Sequence, residues 1–136
     1  MRRHIDGFAL LEAMLAILVF SVGLLAILML LSVSLLEVGN ARYRSQASLL
    51  ASGVIADMWT ADRSVQNLRA RFGNANASAY QRWLASVVAT LPGVTANANQ
   101  PVITIDDDRT VSISMQWQAP GEATAHRLLV RTTITD

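Results

Sequence analysis

From residue 13 to residue 36 the chain is uncharged and almost wholly aliphatic, and past that run the spacing of apolar positions changes twice. The run has no polar face. Beyond it, Leu36, Tyr43, Ala47, Leu50, Val54 and Met58 follow one another at intervals of seven, four, three, four and four, one stripe of an amphipathic helix. Arg42, Gln46, Ser48, Ser52 and Asp57 fall mostly off that stripe. No proline occurs before Pro92, so the pattern predicts a single helix from Phe8 to about Thr60, roughly 80 Å long if continuous. Residues 62–78 read as a loop, with Ser78 as the N-cap of a short helix over 79–91. Tyr80, Trp83, Leu84, Val87, Val88 and Leu91 form its apolar face, and Pro92-Gly93 stops it. The period then drops to two. Val111, Ile113, Met115 and Trp117 alternate with Ser112, Ser114, Gln116 and Gln118, a half-buried strand. Strands over 102–105 and 128–134 flank it, with turns at 106–109 and 120–123. The expected fold class is α+β: a long N-terminal helix packed on a small antiparallel sheet, a β-meander over 101–135, with one additional short helix.

The 24 residues from 13 to 36 extend roughly 36 Å as a helix, enough to cross a hydrocarbon core of about 30 Å. This divides the chain into a short basic leader at 1–7, a membrane segment at 8–36 and a head at 37–136, of which about the last 75 residues are free to build a globular core. Arg2, Arg3 and the amino terminus outweigh Asp6 before the run, which predicts a cytoplasmic N-terminus and a periplasmic or external head. Glycines 23, 39 and 53 interrupt the helix. Close helix packing is one reading of them, and a local weak point at Gly23 is another. Glu12 is the feature that membrane insertion alone does not explain, because a carboxylate in a spanning segment costs roughly 2.5–3.5 kcal/mol and usually marks function.

The residues around that glutamate, Gly7-Phe8-Ala9-Leu10-Leu11-Glu12, resemble the cleavage and methylation signal of type IV prepilins and type II secretion pseudopilins. The resemblance implies that Gly7 is the last leader residue, cut by a prepilin peptidase. It implies that Phe8 becomes the N-methylated first residue, and that Glu12 pairs with the Phe8 amine of a neighbouring subunit. Ala9 departs from the usual Thr or Ser, and Ala13 from the usual Val. A removable secretory signal fits poorly, since its apolar region runs about 7–15 residues. A lipoprotein signal needs the cysteine that this chain lacks, and Arg2-Arg3 is too little context for a twin-arginine signal. A plain single-pass anchor remains the alternative.

Composition removes several function classes. All eleven basic residues are arginine, the net charge is +1, and no basic or acidic excess argues for a nucleic-acid partner. Zero cysteines exclude a disulfide framework. Only His4 and His126 are present, and there is no metal-ligand spacing, phosphate loop or nucleophile elbow, so no catalytic, cofactor or metal site is expected. Asp106-Asp107-Asp108 lacks the spaced ligand series of a calcium loop and reads as a solvated hairpin turn. Arg63, Arg69, Arg71 and Arg82 offer contacts to anionic lipid, a partner or DNA, but a solvated loop is favoured for them.

Finer features extend the resemblance. Ser21-Val-Gly23-Leu-Leu25, then Arg44-Ser-Gln-Ala-Ser-Leu-Leu-Ala51, then Ile55-Ala-Asp-Met-Trp59 and Asp62-Arg63 are similar to the type IV pilus modification (PilV-type) minor pilins over roughly residues 7–63. That implies a pilin-like fold and a minor subunit that primes pilus assembly for adhesion and twitching motility. The implied partners are the prepilin peptidase, other minor pilins, the major pilin and the inner-membrane assembly platform. The implied location is the inner membrane and then the fimbrium. Two alternatives stand beside it: an I-type minor pseudopilin of type II secretion, and a signal-anchored periplasmic binding domain without a filament role.

Overall fold

A computed structural model describes residues 5–95 and 97–135, with side chains from Phe8 onward. It contains α1 (Ile5–Thr60), α2 (Val65–Arg71), α3 (Ser78–Thr90), β1 (Val102–Ile105), β2 (Thr110–Trp117) and β3 (His126–Thr133). The fold is α+β, a long N-terminal helix with short helices and one three-stranded antiparallel sheet in the order β1-β2-β3. The chain divides into two units, one ending at Val38 and the other beginning at Gly39. In the first, every described side chain is exposed, so this stretch of α1 has no core of its own.

In the second unit the helical stripe turns inward. Ala47, Ala51, Val54 and Met58 are buried, with Tyr43 and Leu50 packed beside them. Helix α3 buries Tyr80, Trp83, Leu84 and Val87 on one face, as its 3.6-residue spacing requires. The sheet adds alternate residues from β1 and β2: Ile103, Ile105, Val111, Ile113, Met115 and Trp117. The helices therefore cover one sheet face. Polar Thr104, Ser112, Ser114 and Gln116 lie on the other, as period-two alternation predicts.

Both hairpins follow the expected meander. β1 pairs with β2 from Val102↔Ser114 to Ile105↔Val111, and β2 pairs with β3 from Thr110↔Thr133 to Trp117↔His126. At the first turn Arg109 adopts a left-handed φ of 65°, its N–H donates to the Asp106 carbonyl at 3.0 Å, and the Asp108 carboxylate accepts from the Thr110 N–H at 2.9 Å.

Two expectations need correction. The predicted loop over 62–78 holds the seven-residue helix α2, which buries Leu68 and is followed by the buried Phe72. A seven-residue helix is too short for periodicity to register, and the clustered arginines hid its single core residue. The N-cap of α3 is Ala77 rather than Ser78, and no side chain caps that end. Ser78 is already inside the helix.

Candidate functional site: the N-terminal segment of α1

Residues 8–38 of α1 present large apolar side chains on all sides: Phe8 is 72% exposed, Phe20 68% and Leu30 71%. A helix apolar all round is stable where lipid or protein surrounds it, not water. Two of its serine hydroxyls are satisfied inside the segment. Ser21 Oγ donates to the Ile17 carbonyl at 2.7 Å and Ser32 Oγ to the Leu28 carbonyl at 3.0 Å. Such back-bonding lets a hydroxyl sit in hydrocarbon without an orphaned donor. This one helix near the N-terminus is long and apolar enough to span a membrane, in keeping with a single-pass membrane protein.

Gly7 lies within the helical backbone, and Phe8 and Glu12 follow four residues apart, so the last two share a helix face. Glu12 is exposed, and it makes no hydrogen bond or ion pair with any described residue. Arg2, Arg3 and His4 lie outside the described residues. A carboxylate on an apolar helix, with no partner among the described residues, calls for water, headgroups, another chain or a group outside those residues.

The arginines of the predicted loop do not share one environment. Arg69 is a structural pin: its Nε donates to the Ile105 carbonyl at 2.8 Å and its Nη2 pairs with Asp107 at 2.9 Å, joining α2 to the β1–β2 turn. Arg69 is exposed, as expected, but it stands on α2 rather than in a loop and has partners within the fold. Arg63 donates to the Thr135 carbonyl at 3.2 Å and lies over the Trp59 ring. Arg71 lies over Phe72.

A second polar cluster escaped the sequence reading. Glu122, between β2 and β3, accepts from Asn40 Nδ2 of α1 at 2.7 Å and meets His126 Nε2 at 2.5 Å. The His126 ring stacks on Trp117, with centroids 5.8 Å apart. The Asn40 hydrogen bond, followed by that from His126, holds the Glu122 carboxyl below the usual glutamate range. Asn40 and Glu122 are 82 residues apart, and no local signal links them. Among the described residues, no three His, Asp or Glu side chains gather as metal ligands. Asp107 and Asp108 are engaged with Arg69 and Thr110.

The class defined by these features is an α+β head carried on one membrane-length apolar helix. Comparison with protein-family models, with curated proteins and with solved structures finds no match.

Proposed function

We propose that the chain is a minor pilin of the type IV pilus that helps to prime assembly of the fibre. The observation that carries this reading is Glu12, a carboxylate without a partner among the described residues, four residues after Phe8 on a membrane-length helix. Cutting after Gly7 by a prepilin peptidase frees the amine of Phe8, which is then methylated. An unpaired amine and an unpaired carboxylate are each costly in a medium of low dielectric. Pairing Glu12 with the Phe8 amine of a neighbouring minor or major pilin offsets both charges and fixes the axial register between subunits, a specificity role suited to a buried pair. The basic leader favours a cytoplasmic N-terminus at the inner membrane, a periplasmic head, and delivery to the fibre through the assembly platform.

Two measurements test the proposal. Mass spectrometry of the chain recovered from cells is expected to find a mature N-terminus at methylated Phe8; a retained Met1 overturns the processing signal. Removing one member of a buried pair costs about 3–5 kcal/mol, so Glu12→Ala is expected to insert in the membrane and to drop out of sheared pili by a hundredfold or more. Normal amounts of the variant in sheared fibres overturn the pairing. A deletion strain that keeps its pili but loses exoprotein export reassigns the subunit to a secretion pseudopilus, and a strain with neither defect reassigns it to an anchored binding domain.

A further inference from the structure

β3 forms one edge of the sheet, and a single bond sets the phase of its hydrogen bonding. The Ile134 N–H donates to the Arg109 carbonyl at 3.1 Å. Carried along the unbroken register, that bond puts His126, Leu128, Val130 and Thr132 in hydrogen-bonded pairs with β2. Arg127, Leu129, Arg131 and Thr133 therefore turn their N–H and C=O groups away from the sheet, and no described backbone group meets them there. Such a row is a template for one more strand, and folds ordinarily block it with proline, a bulge or charge. β3 has no proline and no bulge, only its two arginines.

The two faces beside this edge are unlike. On the core side Leu128 and Val130 are only half-buried, so the apolar layer reaches the edge unfinished. On the outer side Arg127 and Arg131 stand roughly 13 Å apart along the strand, with exposed Leu129 between them. Their Nε atoms donate to Ser114 Oγ at 3.2 Å and Ser112 Oγ at 3.1 Å, which anchors both side chains on the sheet. Neither is in ion-pair contact with a described carboxylate, and Asp108 acts on Arg131 only from beyond that distance. These charges select the occupant. The β3 edge of a second copy, laid antiparallel with Leu129 at the centre, brings Arg127 of each chain opposite Arg131 of the other, and like charges so placed repel. An acidic strand meets the same positions with the opposite sign. We propose that the free edge of β3 takes an extended segment of another protein, paired antiparallel, with acidic residues four positions apart and apolar residues immediately inside them. Its acids face Arg127 and Arg131, its apolar side chains extend the layer of Leu128 and Val130, and its backbone takes up the outward N–H and C=O groups. The edge lies wholly within the second unit and does not involve Glu12, so it stands or falls separately from the filament reading.

The full chain in detergent micelles provides the test, titrated with a fluorescent peptide of sequence Thr-Glu-Val-Thr-Val-Glu-Thr and read by anisotropy against empty micelles. Saturable binding is expected, with a shuffled peptide of the same composition weaker by about tenfold or more. Arg127→Glu combined with Arg131→Glu is expected to weaken the first peptide about tenfold and to favour its counterpart with lysine in place of glutamate. Leu129→Pro removes one outward N–H without touching the ladder to β2 and is expected to abolish binding. Peptides methylated on the backbone ask the same question of the unaltered chain. Methylating the nitrogen of the central threonine, whose N–H faces β3, is expected to abolish binding, and methylating a valine nitrogen, which faces away, to leave it within about twofold. Equal affinity for the shuffled peptide, equal effects of the two methylations, or no saturation into the millimolar range overturns the proposal. Single-stranded DNA bound as tightly as the peptide also overturns it, and assigns the two arginines to polyanions in general.

Discussion

Trp83 donates its indole N–H to the backbone carbonyl of Leu50 at 3.0 Å, so α3 is fastened to α1 by a directed bond as well as by apolar contact. The same ring meets Tyr80 edge-on at 5.9 Å, and Tyr80 Oη donates to the Pro101 carbonyl at 2.6 Å. Burial pushes the Tyr80 hydroxyl above its ordinary pKa, so it remains a donor across the physiological range. One short helix thus reaches both α1 and the approach to β1. Trp83→Phe keeps the aromatic packing and loses the donor, with an expected loss of about 1 kcal/mol. Trp83→Ala removes the ring as well and is expected to cost about 3–5 kcal/mol. Denaturant unfolding of the full chain in detergent, followed by near-ultraviolet circular dichroism, separates the two.

Gly93 and Gly121 both have left-handed backbones, with φ of 74° and 85°, but their surroundings differ. A Cβ at Gly93 meets the backbone N of Gln118 at 3.2 Å, beside the hydrogen bond from that N–H to the Pro92 carbonyl. A Cβ at Gly121 meets nothing within 4 Å. Gly121→Ala is therefore expected to cost only the conformational penalty of about 1–2 kcal/mol. Gly93→Ala adds a backbone clash to that penalty and is expected to lower the unfolding midpoint further. Equal midpoints for the two variants contradict this account of the turn after α3.

The same pair of glycines shows how far the amino-acid sequence reaches. Pro92-Gly93 announced the end of α3 from local chemistry, and the alternation from Val111 to Trp117 announced a strand with one buried face. Those signals depend on near neighbours. Helix α2 left no such trace, because Leu68 alone of its seven residues is buried. Arg69 read as a solvated cation because its partners, Ile105 and Asp107, lie 36 and 38 positions downstream. The Asn40–Glu122 bond was hidden for the same reason. At the N-terminus the case is reversed: the spacing of Gly7, Phe8 and Glu12 is plain in the chain, and their described surroundings hold no partner for the carboxylate.

Glu122 makes the head acid-sensitive in a defined direction. Its folded pKa is depressed by the hydrogen bond from Asn40 and then by His126. The ionised form is therefore the one that folding favours. The stabilisation is complete above the unfolded glutamate pKa and is lost as pH falls through the lower, folded value. Glu122→Gln removes that dependence. The wild type is expected to lose thermal stability more steeply than the variant below about pH 5, and the two curves are expected to run parallel above it. Parallel curves through the acid range contradict the coupling.

The apolar stretch of α1 makes the last prediction. Leu24, 46% exposed, lies near the middle of the uncharged run and has no polar group to receive a charge. Replacing it with arginine places a guanidinium where a spanning helix meets hydrocarbon, at a cost of about 2.5–3.5 kcal/mol by insertion scales. Glu12 stands at the edge of the same run, and Glu12→Arg exchanges one near-interfacial charge for another that reaches the headgroups along its stem. The Leu24→Arg chain is expected to shift by roughly a hundredfold from the alkali-resistant membrane fraction towards the soluble one, and the Glu12→Arg chain to remain membrane-bound. Equal retention of both variants removes the hydrocarbon-spanning role of residues 13–36.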